Sequence, residues 1–144
     1  MRQNMSGWSQ AECDELKKAG IADEILYYHR ALGKEEKYTA HVFIAQYASP
    51  EQLKQNWERL NDNIALLYQS NVDSLLERSN FYLCFFLPKS MNTIEKEKIE
   101  NDAYCAKKYI FVSEKELSVE EKIQRVNEKI FELTYLESQD TSET

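Results

Sequence analysis

The stretch that decides the fold is Asn80–Pro88, NFYLCFFLP. It is an almost unbroken apolar run, rich in aromatic side chains, and a proline ends it. A short apolar run without polar alternation is typical of a strand that is buried on both faces. The sequence therefore predicts a strand in the middle of a sheet here, covered on both sides by other elements.

Two further apolar stretches predict neighbouring strands, YTAHVFIAQY at 38–47 and KKYIFVS at 107–113. A long helix is predicted between the first and the middle strand, with Ser49 as its N-cap and Pro50 at its first position. Its apolar residues recur at helical spacing and form one stripe: Leu53, Trp57, Leu60, Ile64 and Leu67.

A short charged helix, NTIEKEKIEND at 92–102, is predicted to lead from the middle strand to the last one. A final long helix follows at 118–136, where Ser118 and Glu121 form a capping box. Because strands and helices alternate, the expected fold is α/β, with a small, mostly parallel, three-stranded sheet flanked by helices.

The N-terminal part predicts a pair of helices before the sheet. SQAECDELKKAG at 9–20 begins with a capping box, and IADEILYYHRALG at 21–33 carries apolar residues at helical spacing. We expect a single α/β domain over 1–136. The polar, acidic tail 137–144 is predicted to be disordered.

The composition of the chain argues against several classes of protein. The 144 residues include 25 acidic and 18 basic side chains, which gives a net charge of −7. A protein that binds nucleic acid by itself usually has a basic balance, and an acidic chain is repelled by anionic lipids. The longest apolar run is far too short to span a membrane, and the three cysteines are scattered. These features predict a cytoplasmic protein with reduced cysteines.

Motifs for catalysis are missing from the sequence. None of the three glycines belongs to a phosphate-binding loop, and no clustered metal ligands occur. His29 and His41 have no obvious partners, which favours ordinary structural or surface roles. We therefore expect no enzymatic activity and no cofactor.

One enzymatic alternative stays open, a small metal-dependent nuclease. It would combine an acid with a nearby lysine, drawn from Glu95, Glu97, Glu100 or Asp102 and from Lys98 or Lys107. Such a pair needs a strand, on which residues two apart point the same way. The EKEK segment at 95–98 lies in a predicted helix, where residues two apart diverge, and this argues against the nuclease.

The segment IENDAYCAKKYIFVS at 99–113 has a simpler structural interpretation as a helix-to-strand junction. Glu100 and Asp102 would lie near the end of the short helix. Lys107 and Lys108 would begin the strand and pair with these acids. Whether these pairs brace the fold or lie in an interface is left open.

The sequence resembles the small middle subunit of bacterial ABC-three-component defence systems, the group that includes Lamassu-type systems. The resemblance covers roughly 38–113 and has two parts, an asparagine-led N-[IF]-Y-L strand and the pattern IE-x-D-x-[YF]-x-x-[RK]-K-[YI]. A tryptophan in a long helix precedes both. The positions singled out as an interaction or structural motif are Trp57, Asn80, Tyr82, Glu100, Asp102, Tyr104, Lys107 and Lys108.

The resemblance implies a non-catalytic subunit. In such systems an ABC ATPase similar to SMC proteins or Rad50 senses DNA, and a separate effector, often a nuclease, causes the damage. The middle subunit would link the two, so that it meets DNA only indirectly. One departure from the pattern is Lys107, where arginine is expected more often, and lysine lacks the planar fork of arginine. A one-to-one immunity partner of an effector is a further alternative.

Overall fold

The computed structural model describes residues 7–33, 35 and 37–142, with side chains described as far as residue 130. The strand β4 (Phe81–Leu87) lies inside the sheet, with a strand on either side, and all seven of its residues are buried. The prediction of a doubly covered middle strand is confirmed. Its apolar side chains alternate between two separate cores, one on each face of the sheet.

The sheet has five strands in the order β1-β2-β3-β4-β5. β1 pairs with β2, and β2 with β3, in antiparallel orientation, whereas β3, β4 and β5 run parallel to one another. The sheet is therefore mixed. The strands other than β4 are β1 (Ser9–Ala11), β2 (Glu24–Leu32), β3 (Tyr38–Gln46) and β5 (Lys107–Val112).

Two fold predictions are wrong, the mostly parallel three-stranded sheet and the N-terminal helical pair. Segment 9–20 contains β1 and only a short helix, α1 (Asp14–Lys18), and segment 21–33 contains β2. Strand β2 pairs with β3 along its whole length in a hairpin. It is buried on both faces over 25–28, so its apolar residues do not alternate, and their spacing imitates that of a helix.

The remaining predicted helices begin where expected, although the last one ends at Ser142 rather than at residue 136. Ser49 caps α2 and accepts a hydrogen bond from the Gln52 N–H. Asn92 caps α4, and Ser118 and Glu121 form the predicted capping box of α5. The helices are α2 (Pro50–Leu67), α3 (Leu75–Arg78), α4 (Thr93–Glu100) and α5 (Val119–Ser142), with a 3-10 turn at Gln69–Asn71.

The two faces of the sheet are covered by different helices. Leu16 of α1, Leu60 of α2 and Ile99 of α4 belong to the core on one face. Ile123 and Val126 of α5 belong to the core on the other. Fully burying one such aliphatic side chain is worth about 1.5–3 kcal/mol, so both layers contribute substantially to stability.

The predicted domain boundary after residue 136 and the disordered tail at 137–144 stay predictions, and residues 143 and 144 lie outside the described part of the chain. None of the described helices is long and apolar enough to cross a lipid bilayer.

Candidate functional site

The junction between α4 and β5 is built around a buried lysine. The Lys108 side chain is completely inaccessible to solvent, and its ammonium has three acceptors. Nζ donates to Asp102 Oδ1 at 2.6 Å, to the Asp102 carbonyl at 3.1 Å and to the Tyr104 carbonyl at 2.6 Å. It also lies 5.9 Å from the centre of a Trp57 ring. An ammonium has three donors, so this group is fully satisfied within the chain.

The loop that Lys108 holds has an unusual backbone. The Tyr104 N–H donates to Asp102 Oδ1, which forms a tight turn, and Cys105 has a φ of 64°. A non-glycine residue in this left-handed region is uncommon and costs energy. Two side chains from other elements bind the same loop, since Asn61 donates to the Tyr104 carbonyl and Gln69 to the Cys105 carbonyl. The loop is thus fixed by four side chains.

Burial alone would raise the pKa of Asp102, but its hydrogen bonds to Lys108 and to the Tyr104 N–H outweigh burial and lower the pKa below the ordinary value of 3.8. The carboxylate therefore stays ionised at neutral pH. With its charge matched by Lys108, this pair is arranged to hold the loop.

Glu100 has a different role from the one predicted. Its Oε2 accepts a hydrogen bond of 2.8 Å from the Ile110 N–H on the open edge of β5, and its Oε1 lies 3.6 Å from Lys96 Nζ. Asp102 pairs with Lys108 as expected, whereas Glu100 pairs with its own helix and with the strand edge.

The other residues singled out by the sequence divide into buried and exposed groups. Trp57 is buried beneath Lys108, and Tyr82 is buried and donates its hydroxyl proton to Asn80 Oδ1 at 2.8 Å. The Tyr104 side chain is 58% exposed. Lys107 is exposed, and its Nζ lies 5.4 Å from the Tyr82 ring centre.

Two grooves lie along the open edge of β5, on either side of Glu100. One has a volume of about 610 Å³ and is lined by Arg78, Lys107 and Leu75 among others. The second has a volume of about 370 Å³ and is lined by Lys96 and Lys129 among others. Both share Glu100, Asn101, Lys108 and Tyr109.

Sequence reasoning missed a second polar cluster, around His41. Its Nδ1 lies 2.7 Å from the Tyr27 hydroxyl, and its Nε2 lies 2.8 Å from Glu77 Oε2. A neutral ring that donates from Nε2 and accepts at Nδ1 satisfies all three groups. Burial lowers the pKa of His41, against the raising effect of Glu77, and burial raises the pKa of Tyr27 to about 12.

The signal for this cluster was weak because its members are far apart in the chain. Tyr27 was assigned to a helix, and Glu77 lies on α3, a helix of four residues. The correct strand assignment for β2 would have placed Tyr27 opposite Phe43, next to His41 on β3.

The residues of the nuclease alternative are spread over α4 and the junction. Glu95 lies within 2.5 Å of Lys54, and Asp102 holds Lys108. Across the described part of the chain, no three His, Cys, Asp or Glu side chains are grouped so that they could hold a metal ion. Both polar clusters also lie towards the amino ends of the parallel strands, whereas α/β sheets bind ligands at the carboxyl ends.

A family model matches the larger part of the chain. The model of the family described as ABC-three component (ABC-3C) system Middle Component 1 matches residues 40–138. The match covers β3 from residue 40 onwards, all of β4 and β5, and the whole junction. Comparisons with curated proteins and with solved structures gave no match. The matched segment is well over half of the chain, and the chain belongs to the Middle Component 1 family of ABC-three component systems.

Proposed function

We propose that the chain is a non-catalytic bridging subunit of a bacterial antiphage complex of Lamassu type. It would link an ABC ATPase similar to SMC proteins or Rad50, which senses DNA, to an effector such as a nuclease. The family match carries this proposal, because a middle component of a multi-subunit system has partner subunits.

The geometry of the junction supports a structural rather than a chemical role for its charged residues. Lys108 is saturated by acceptors from its own chain, and Glu100 is bonded to the β5 edge. A net charge of −7 favours leaving DNA contact to the ATPase, and it fits a cytoplasmic chain that has no membrane partner.

Affinity purification tests the proposal directly. The tagged chain is expressed with the ATPase and the effector encoded by the same system, and bound proteins are identified by mass spectrometry. We expect both subunits to be captured together. Capture of the effector alone would favour the one-to-one immunity alternative, and capture of neither would contradict both.

A protection assay and a cleavage assay separate bridging from catalysis. Deleting the chain from the complete system is expected to abolish protection against phage. The purified chain, incubated with DNA and Mg²⁺ or Mn²⁺, is expected to leave the DNA intact. Metal-dependent cleavage that disappears in Glu100→Ala but persists in Glu114→Ala, an exposed acid outside the nuclease alternative, would replace bridging with that alternative.

A further inference from the structure

The open edge of β5 exposes backbone groups that another strand can bind. The Ser113 N–H donates to the Leu87 carbonyl of β4. Since alternate residues of a strand bond to the same neighbour, Lys108, Ile110 and Val112 direct their N–H and C=O groups away from β4. β5 is the last strand of the sheet in the described part of the chain. Lys108 is buried, so Ile110 and Val112 are the residues of this edge whose main chain an added strand can pair with.

Glu100 covers the centre of this edge. Its carboxylate accepts the proton of the Ile110 N–H, the outward-facing group midway along the strand. The same carboxylate is only half-buried and its second oxygen is 3.6 Å from Lys96. Charged side chains that occupy an edge are a common protection against unwanted strand pairing. A peptide carbonyl could replace Glu100 at this N–H without disturbing Lys108.

The grooves beside the edge carry the opposite charge to the chain as a whole. Their lining includes five basic side chains and two acidic ones, and each acid is paired with one of the lysines, Glu100 with Lys96 and Asp102 with Lys108. The remaining charged side chains of the lining are all basic, namely Arg78, Lys107 and Lys129. The complete chain has a net charge of −7. An occupant with acidic side chains is therefore favoured electrostatically at this edge.

We propose that the β5 edge binds an extended, acidic segment of a partner subunit, which adds a sixth strand to the sheet and displaces Glu100 from Ile110. This proposal rests on the proposed function, because it assumes a partner subunit. Two copies of this chain would bring like-charged grooves together, which disfavours pairing between copies. The outward peptide groups favour a strand over DNA, because phosphates need no such regular row of donors and acceptors.

Charge reversal tests the edge in the complex purified with both partner subunits. Lys107 and Lys129 are exposed, and each lines one groove. We expect the double variant Lys107→Glu/Lys129→Glu to weaken partner binding about tenfold or more. The matched control is Lys17→Glu/Lys18→Glu on α1, which changes net charge equally and is expected to stay within about twofold.

Hydrogen exchange of the β5 backbone amides is a second measurement. It reports strand pairing and does not depend on charge attraction alone. In the wild-type complex, the amides of Ile110 and Val112 are expected to exchange more slowly than in the free chain. Glu100→Ala is expected to bind the partner at least as tightly as the wild type, because the competing carboxylate is gone. Weaker binding of this variant, measured at a temperature at which it is fully folded, would overturn the displacement of Glu100.

The outcomes distinguish this inference from the proposed function. If the wild-type chain captures no partner, both fail. A further outcome is that the complex forms while the charge reversal leaves binding unchanged and the β5 amides exchange as in the free chain. In that case the β5 edge is not the binding site, but the proposed bridging function still stands. Self-association through β5, or DNA binding that competes with the partner and is lost in Lys107→Glu/Lys129→Glu, would also overturn the proposal.

Discussion

Lys108 and His41 lie on the two strands that flank β4, each buried beside a carboxylate, and they differ in charge. Lys108 is cationic, with all three N–H groups bound by the loop before β5. His41 is satisfied as a neutral ring between Tyr27 and Glu77. A buried charge without its partner is far more costly than a buried neutral group that loses one hydrogen bond. The comparison therefore predicts a large penalty at Lys108 and a small, pH-dependent one at His41.

The largest effect is expected for Lys108→Met. Methionine keeps the apolar stem above Trp57 but leaves the Asp102 carboxylate and the Tyr104 carbonyl without the ammonium. We expect a loss of about 3 kcal/mol in the free energy of unfolding, the low end for broken buried pairs because Asp102 is partly solvated. Denaturant unfolding measures it.

The neighbouring variant Lys107→Met is the control for this experiment. Lys107 is exposed, so we expect a change within about 0.5 kcal/mol. Equal losses of stability in the two variants would show that the buried Lys108 stabilises the fold no more than the exposed Lys107 does.

Asp102→Asn should have the next largest effect. Asparagine retains an acceptor for the Tyr104 N–H but removes the charge that faces Lys108, and we expect a loss of about 1.5 kcal/mol. The pKa of Asp102 is lower in the folded chain than in the unfolded one. Its contribution is therefore complete above about pH 4 and lost as the pH falls through the lower folded value.

Acid unfolding of Asp102→Asn therefore provides a second check. The variant should lose less stability on acidification than the wild type. If the stability of the two proteins falls equally with pH, the Asp102 carboxylate is not the group that causes the loss of stability in acid.

Glu100→Ala should destabilise the isolated chain by about 1 kcal/mol, a typical value for a point substitution that removes a partly exposed hydrogen bond. Glu97→Ala is the matched control, since Glu97 is exposed on the same helix. Thermal melts of both variants compare the two positions. A melting temperature for Glu100→Ala that equals that of the control would remove the bracing role of Glu100.

The smallest effect is the pH dependence of the His41 cluster. Because burial lowers the pKa of His41, the unfolded chain takes up the proton first as the pH falls. Stability should decline from about pH 6.5 downwards and level off below the folded pKa. Unfolding at a series of pH values measures this slope. His41→Gln should flatten it, and a slope that is unchanged in this variant would assign the effect to another group.

The parallel half of the sheet was predictable because each of its elements carries a local signal. Pro88 ends β4, Ser49 and Asn92 cap helices, and Asp102 and Lys108 are close enough in the chain for their pairing to be expected. The matched family segment begins within this half, at residue 40. Local chemistry therefore sufficed for the Asp102–Lys108 pair.

The antiparallel half was not predictable in the same way. The stretch around Tyr27 and Tyr28 becomes a strand because it pairs with β3 and is covered on both faces, and both causes are tertiary. The His41 cluster depends on the pairing of β2 with β3. Because that pairing was not predicted, the cluster was not predicted either. Glu100 was expected to meet a lysine, and its bond to the Ile110 N–H follows only from how α4 packs beside the β5 edge.

Bridging itself is tested most directly with a tagged ATPase as bait and the effector as prey, in the presence and absence of this chain. The account predicts that the effector is captured only when the chain is present. Capture of the effector by the ATPase at the same level without the chain would contradict the central claim.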